Sequence, residues 1–187
     1  MSSAKAMYDK LQTVKTSGSK TPISDFKSVD LLADKKYMVD GFRCTSTFVS
    51  LAGSAKWHGG VLAPNGKIYG IPMYSTTVLE IDPVAKTATT FGNLVGDAKW
   101  NGGVLAPNGK IYGIPYNSTT ILEIDPVTKT TSEFGSLVGS DKWYGGVLAP
   151  NGKIYGIPHY STMILEIDPV TKTTSEFGSL ASGYKWA

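Results

Sequence analysis

Cysteine is almost absent from this chain. Cys44 is the only one in 187 residues, so no disulfide can form within it. That leans toward an intracellular setting, cytoplasmic or organellar, where thiols stay reduced. Cys44 itself reads as a small apolar strand residue. Long apolar runs are missing too, so no segment reads as a membrane span. No apolar stretch with a cleavage site follows Met1, and no secretory signal is expected. Histidine is scarce: only His58 and His159 occur, at non-equivalent positions. The chain shows no Ser-His-Asp set, zinc spacing, phosphate loop or dinucleotide fingerprint. The single glycine of Pro-Asn-Gly-Lys cannot cradle a phosphate. A non-enzyme without metal or cofactor is therefore expected. Strong charge is lacking as well. The net charge is +3 and the pI about 8.8. Lysines spread along the chain read as solvated side chains, and no nucleic-acid partner is expected.

What the chain does have is repetition. Gly-Gly-Val-Leu-Ala-Pro-Asn-Gly-Lys-Ile-Tyr-Gly-Ile-Pro runs from Gly59 to Pro72 and recurs from Gly102 to Pro115 and from Gly145 to Pro158. Trp57, Trp100, Trp143 and Trp186 follow one another at intervals of 43 residues. A fixed period in this range marks a repeat architecture. Residues 1–20 differ from the rest. Met7, Leu11 and Val14, with Tyr8, share one helical face, and Ser17-Gly18-Ser19 closes the segment. This N-terminal helical extension is expected to dock on its own domain or on a partner. Residues 21–55 read as a degenerate repeat, since Arg43 to Leu51 aligns with Lys129 to Leu137. Full repeats then occupy 56–98, 99–141 and 142–187.

Each full repeat predicts four strands. In the second, Gly103 to Ala106 is followed by the Pro107-Asn108-Gly109 turn and by a strand from Lys110 to Ile114. Thr120 to Ile124 comes next, then the Asp125-Pro126 turn, then Thr130 to Phe134. Asn-Gly suits a hairpin because both residues tolerate positive φ. Gly135 to Trp143 is the longest link. Four antiparallel strands and one longer crossover describe a propeller blade. The fold class expected is all-β.

Gly-Lys-Ile-Tyr-Gly, Leu-Glu-Ile-Asp-Pro and Thr-Lys-Thr resemble the blades of kelch, quinoprotein and tachylectin-like β-propellers over about residues 37–187. The resemblance implies a β-propeller fold. It does not extend to function. The Gly-Gly here is paired with Val-Leu-Ala-Pro, unlike kelch, and the Trp precedes the first strand of each repeat, unlike a quinoprotein docking motif. About four blades follow, and propellers close with 4–8. A closed four-bladed domain and a ring completed by a second copy or another subunit are both open.

The repeats differ from one another at clustered positions. One follows the Trp: His58, Asn101 and Tyr144. Another lies between the second and third strands: Met73-Tyr74, Tyr116-Asn117 and His159-Tyr160. The last lies in the long link: Asp97-Ala98, Ser140-Asp141 and Gly183-Tyr184. Strand alternation places all three sets on one face, which is the candidate binding face. Drift after duplication would leave the same pattern. The tryptophans read as wedges between blades, and Tyr69, Tyr112 and Tyr155 as core. Asp82, Asp125 and Asp168 read as turn residues. Together with Glu80, Glu123 and Glu166 they lie off the channel-lining strand, so no metal ring is expected. The reading favoured is a non-catalytic interaction or scaffold module, an accessory subunit or a self-associating propeller. Its partner would be a protein or a second copy, without membrane insertion. The alternative is a lectin with one shallow carbohydrate site per blade. A propeller hydrolase or oxidoreductase is the remaining one.

Overall fold

The structure is a computed structural model that describes residues 50–185. The expected N-terminal helix, Cys44, most of the degenerate repeat and Trp186 lie outside the described residues. Within them the chain forms three four-stranded antiparallel sheets. The first is β1 (Trp57–Leu62), β2 (Ile68–Pro72), β3 (Val78–Asp82) and β4 (Thr87–Phe91). The second is β5 (Trp100–Leu105), β6 (Ile111–Pro115), β7 (Ile121–Asp125) and β8 (Thr130–Phe134). The third is β9 (Trp143–Leu148), β10 (Ile154–Pro158), β11 (Ile164–Asp168) and β12 (Thr173–Phe177). Strand order follows sequence order in each sheet. These are three blades of a β-propeller, and the fold is all-β as the sequence predicts.

The turns explain the constancy of the repeat. In the first blade, Gly66 N donates to Ala63 O at 3.0 Å, and Ala63 N donates to Lys67 O at 2.9 Å. Pro64 occupies the second turn position, where its fixed φ is favourable. Gly66 takes φ +77, while Asn65 keeps a negative φ. The Asn therefore serves by hydrogen bonding, its Oδ1 accepting from Lys67 N at 3.1 Å. The hairpin turn forms as expected, with only Gly66 of the pair using positive φ. At the next turn Asp82 Oδ1 accepts from Val84 N and Ala85 N at 3.0 and 2.8 Å, an Asx turn that the aspartates were expected to form.

The first strand of each blade starts earlier than expected, at the Trp itself. Trp100 pairs with Pro115 and Gly103 with Gly113, so Asn101 and Gly102 together oppose one residue. Gly102 carries this bulge at φ +69. A Cβ on it would sit 3.3 Å from Gly145 Cα on β9, and one on Gly59 would sit 3.1 Å from Gly102 Cα on β5. Glycine thus lets successive inner strands approach backbone to backbone.

The core lies between blades. One cluster joins Ile71 and Val78 of the first blade to Trp100, Ile111, Leu122 and Ile124 of the second. The other joins Val104, Tyr112, Ile114 and Ile121 to Trp143, Ile154, Leu165 and Ile167. Trp100 and Trp143 are fully buried there as wedges. Each indole Nε1 is satisfied within its own blade, by Thr120 O at 2.8 Å and Met163 O at 2.9 Å. Burying each large aliphatic contributes roughly 1.5–3 kcal/mol.

Candidate functional site

Every first strand starts at one end of the blade stack. The β2–β3 link and the long link return to that same end, while the Asn-Gly and Asp-Pro turns lie at the other. The bulge then sets the residue after each Trp on the innermost strand. His58 and Tyr144 meet there across two blades. Tyr144 Oη and His58 Nε2 are 3.1 Å apart, and the rings meet edge to face at 5.3 Å between centroids. Asn101 holds the same position on the intervening strand. It is 2% exposed, and its Nδ2 makes no hydrogen bond among the described residues. An unpaired buried amide costs about 1–3 kcal/mol.

The aromatic surface continues outward. Tyr116 lies against Tyr144 and His159 at 6.2 and 5.7 Å, and Tyr144 against His159 at 5.4 Å. His159 meets Tyr184 at 5.0 Å, and Tyr184 meets Tyr160 at 5.3 Å. His159 Nδ1 faces Asp141 O at 3.3 Å. The Asp141 carboxylate, with burial added, pushes the Tyr116 hydroxyl up to about 12. Asn117 stands aside from the rings, its Oδ1 accepting from Asp141 N at 2.7 Å. Met73 and Tyr74 belong to the first blade's link, with Tyr74 exposed, and neither joins the ring cluster. The structure thus brings together His58, Tyr116, Tyr144, His159 and Tyr160, sets buried Asn101 on the strand between His58 and Tyr144, and leaves Met73, Tyr74 and Asn117 at the edges.

Three groups escaped the sequence reading. Tyr184 and Asp141 sit in the long links, whose variation was noticed without a role being given to either side chain. The lysines before each Trp were taken as solvated, and that reading is wrong for two of them. Lys99 and Lys142 are 3% and 2% exposed. Lys99 Nζ donates to the carbonyls of Met73, Ser75 and Gly96 at 3.2, 2.9 and 2.7 Å. Lys142 Nζ donates to Ser118 O and Gly139 O at 2.9 and 2.8 Å. Burial pulls both ammonium groups below the usual lysine range. These hydrogen bonds hold the charge in place and pin the links that carry the aromatic residues. The invariant Lys-Trp pair was the available signal.

The carboxylates at mid-blade serve structure. Lys67 and Lys129 both reach Glu80 Oε1, at 2.7 and 3.1 Å, and Tyr69 Oη donates to Oε2 at 3.1 Å. Lys110, Lys172 and Tyr112 repeat this on Glu123. Among the described residues, no three His, Cys, Asp or Glu side chains gather as a metal site.

No protein-family model matches the chain, and no curated protein matches it. Solved structures do resemble it. A virginiamycin B lyase from Staphylococcus aureus, a catalytically inactive H270A form with quinupristin, superposes with TM-score 0.59 at 14% identity, over 68% of this chain and 43% of that one. An auxiliary nutrient binding protein from Bacteroides ovatus gives TM-score 0.55 at 19% identity, over 70% and 33%. Hydrazine synthase from Kuenenia stuttgartiensis gives 0.54 at 14% identity, over 79% and 41%. The chain spans less than half the length of each of these proteins. Identities this low speak to fold alone, and with the blades above they establish that this chain carries β-propeller repeats.

Proposed function

We propose that the chain is a non-catalytic interaction or scaffold module, an accessory subunit of a larger assembly or a self-associating propeller, with the aromatic cluster as its contact surface for a protein partner. The observation that supports this most is the run of rings at one end of the blades, from His58 through Tyr144, Tyr116 and His159 to Tyr184 and Tyr160. Tyr160 and Tyr184 in this run are 49% and 77% exposed. A partner segment offering planar or apolar groups to the rings and a hydrogen bond to a tyrosine hydroxyl fits this chemistry. The two histidines support a structural part for themselves, one facing Tyr144 and the other a backbone carbonyl.

The carbohydrate reading with one site per blade has less support. His58, Tyr116, Tyr144, His159 and Tyr160 converge on one cluster, whereas repeated sites would need equivalent residues in each blade. Photo-crosslinking tests the proposal: a crosslinker at Tyr116 is expected to capture a discrete protein partner. One at Val127, exposed on the opposite end of the blade, is expected to capture none. Tyr184→Ala should abolish the Tyr116 product. Equal capture at both positions, or capture indifferent to Tyr184→Ala, overturns it.

A further inference from the structure

The polar atoms beside the ring cluster include two strong acceptors. His159 is buried, and its Nδ1 faces the Asp141 carbonyl oxygen at 3.3 Å. A carbonyl only accepts, so Nδ1 carries the proton and Nε2 of the neutral ring holds a lone pair. No hydrogen bond among the described residues uses that lone pair. The Asp141 carboxylate faces the Tyr116 hydroxyl and enters no ion pair among the described residues. The tyrosine rings add to this, since a π-system is negative above and below its plane. Tyr160 and Tyr184 meet edge to face at 68°, an arrangement that covers one ring face and leaves others open.

The lysines at this end are engaged elsewhere. Lys99 and Lys142 spend their ammonium hydrogens on link carbonyls. Lys185 Nζ donates to Gly183 O at 3.0 Å, and Lys56 lies over the Trp57 ring at 5.3 Å. An anionic group arriving at the rings finds these ammonium groups already committed, whereas a cationic one finds the carboxylate, the lone pair and the ring faces. The openness of the cluster belongs to the position in the blade. Tyr74 holds the place of Tyr160 in the first blade, where the following link is present and its Lys99 bonds Ser75 O. Tyr74 is 47% exposed all the same. Asp141 lies in the link between the second and third blades, whose strands are all described.

We infer that the partner segment recognised at this cluster presents an arginine side chain, its guanidinium against the tyrosine rings and beside Asp141. A guanidinium is planar, always charged and weakly hydrated, so it stacks on ring faces where an ammonium holds its water. It has N–H donors and no acceptor, which suits a site whose carboxylate and imidazole nitrogen both accept. The inference rests on the reading of the cluster as a protein contact surface and names the chemistry of that contact.

Peptide titration on the full chain tests it, with the tyrosine ring resonances followed by NMR. The probes are acetyl-Gly-Gly-Arg-Gly-Gly-amide and its citrulline and glutamate counterparts. Citrulline keeps the shape of arginine and loses the charge. The arginine peptide is expected to shift the ring resonances and to bind about tenfold tighter than the citrulline peptide. The glutamate peptide should leave the resonances in place. Asp141→Asn should weaken arginine binding about fivefold and leave citrulline binding as it was. Asparagine tolerates the φ of +51 that Asp141 holds, so the link keeps its course and the melting temperature should not move. Asp97→Asn removes an exposed carboxylate from the preceding link and should change nothing. Equal binding of the arginine peptide and either other peptide overturns the inference, as does an equal loss from Asp97→Asn and Asp141→Asn. Capture of a protein at Tyr116 without an arginine preference leaves the contact-surface reading standing and ends this one. An arginine preference without any capture does the reverse.

Discussion

The second and third blades are nearly the same sequence in different surroundings. Both contain Ile-Tyr-Gly-Ile-Pro, Ile-Leu-Glu-Ile-Asp and Thr-Thr-Ser-Glu-Phe. In the second blade all five residues of β6 are buried, and in the third Ile157 opens to solvent. Glu123 is held by lysines from two blades and Glu166 by one from its own. The middle blade therefore shows what a repeat is worth when both faces are covered, and the outer blade what the same residues do with one face open. In a repeat protein much of the stability sits at such joints.

The largest break in that contrast should come from the isoleucine at the joint. Ile114→Ala is expected to cost about 3–4 kcal/mol and Ile157→Ala under about 1 kcal/mol, by urea denaturation. Gly103→Ala should follow, at about 3 kcal/mol, because the new Cβ meets Ile71 at 2.6 and 2.9 Å and Tyr112 O at 3.3 Å. Gly60→Ala, with Ile68 Cγ2 at 3.3 Å and Tyr69 O at 3.9 Å, should cost about 1 kcal/mol in the same assay.

Acid should expose a smaller difference. Burial alone would raise Glu123, but hydrogen bonds from Lys110, Lys172 and Tyr112 outweigh it and hold the carboxyl below its ordinary 4.5. Glu80 is held low in the same way. The unfolded carboxylate protonates near its ordinary value while the native one stays ionised. The stabilisation is therefore complete above about pH 4.5 and is lost as pH falls through the depressed native value. Glu123→Gln should flatten this acid limb in denaturation curves taken between about pH 2 and 6, and should cost roughly 2–3 kcal/mol at neutral pH. Glu166→Gln should flatten it less. Smallest, and of opposite sign, is Asn101→Leu. Removing an unpartnered buried amide should leave stability unchanged or raise it by up to about 1 kcal/mol, read as the melting temperature.

Much of the fold was legible because local chemistry repeats with the period. Pro64-Asn65-Gly66 and Asp82-Pro83 are turns wherever they occur, and the alternation in Leu-Glu-Ile-Asp makes a strand in any blade. The end that carries the variable residues was legible as well, since strand alternation alone puts the three variable sets on one side. The bulge was not. It depends on Gly102 meeting Gly145 from the next blade, and no property of Trp-Asn-Gly-Gly states that partner. Lys99 was missed for a related reason: a lysine is solvated unless three carbonyls close around it, and two of those come from the preceding blade's link. Tyr184 lay in a link whose variation was visible, but its contact with His159 joins residues 25 positions apart.

The sequence by itself determined the blade: four strands, their turns, their order and the period that stacks them. Those follow from short-range rules of φ, side-chain hydrogen bonding and alternation, which act alike in every copy. Only the tertiary structure decided which copy of an identical residue is core and which is surface. It also decided that His58 and Tyr144, on the first and third blades, share one hydrogen bond. The reason is physical: burial and pairing belong to the joint between blades, and a joint exists only where two blades meet.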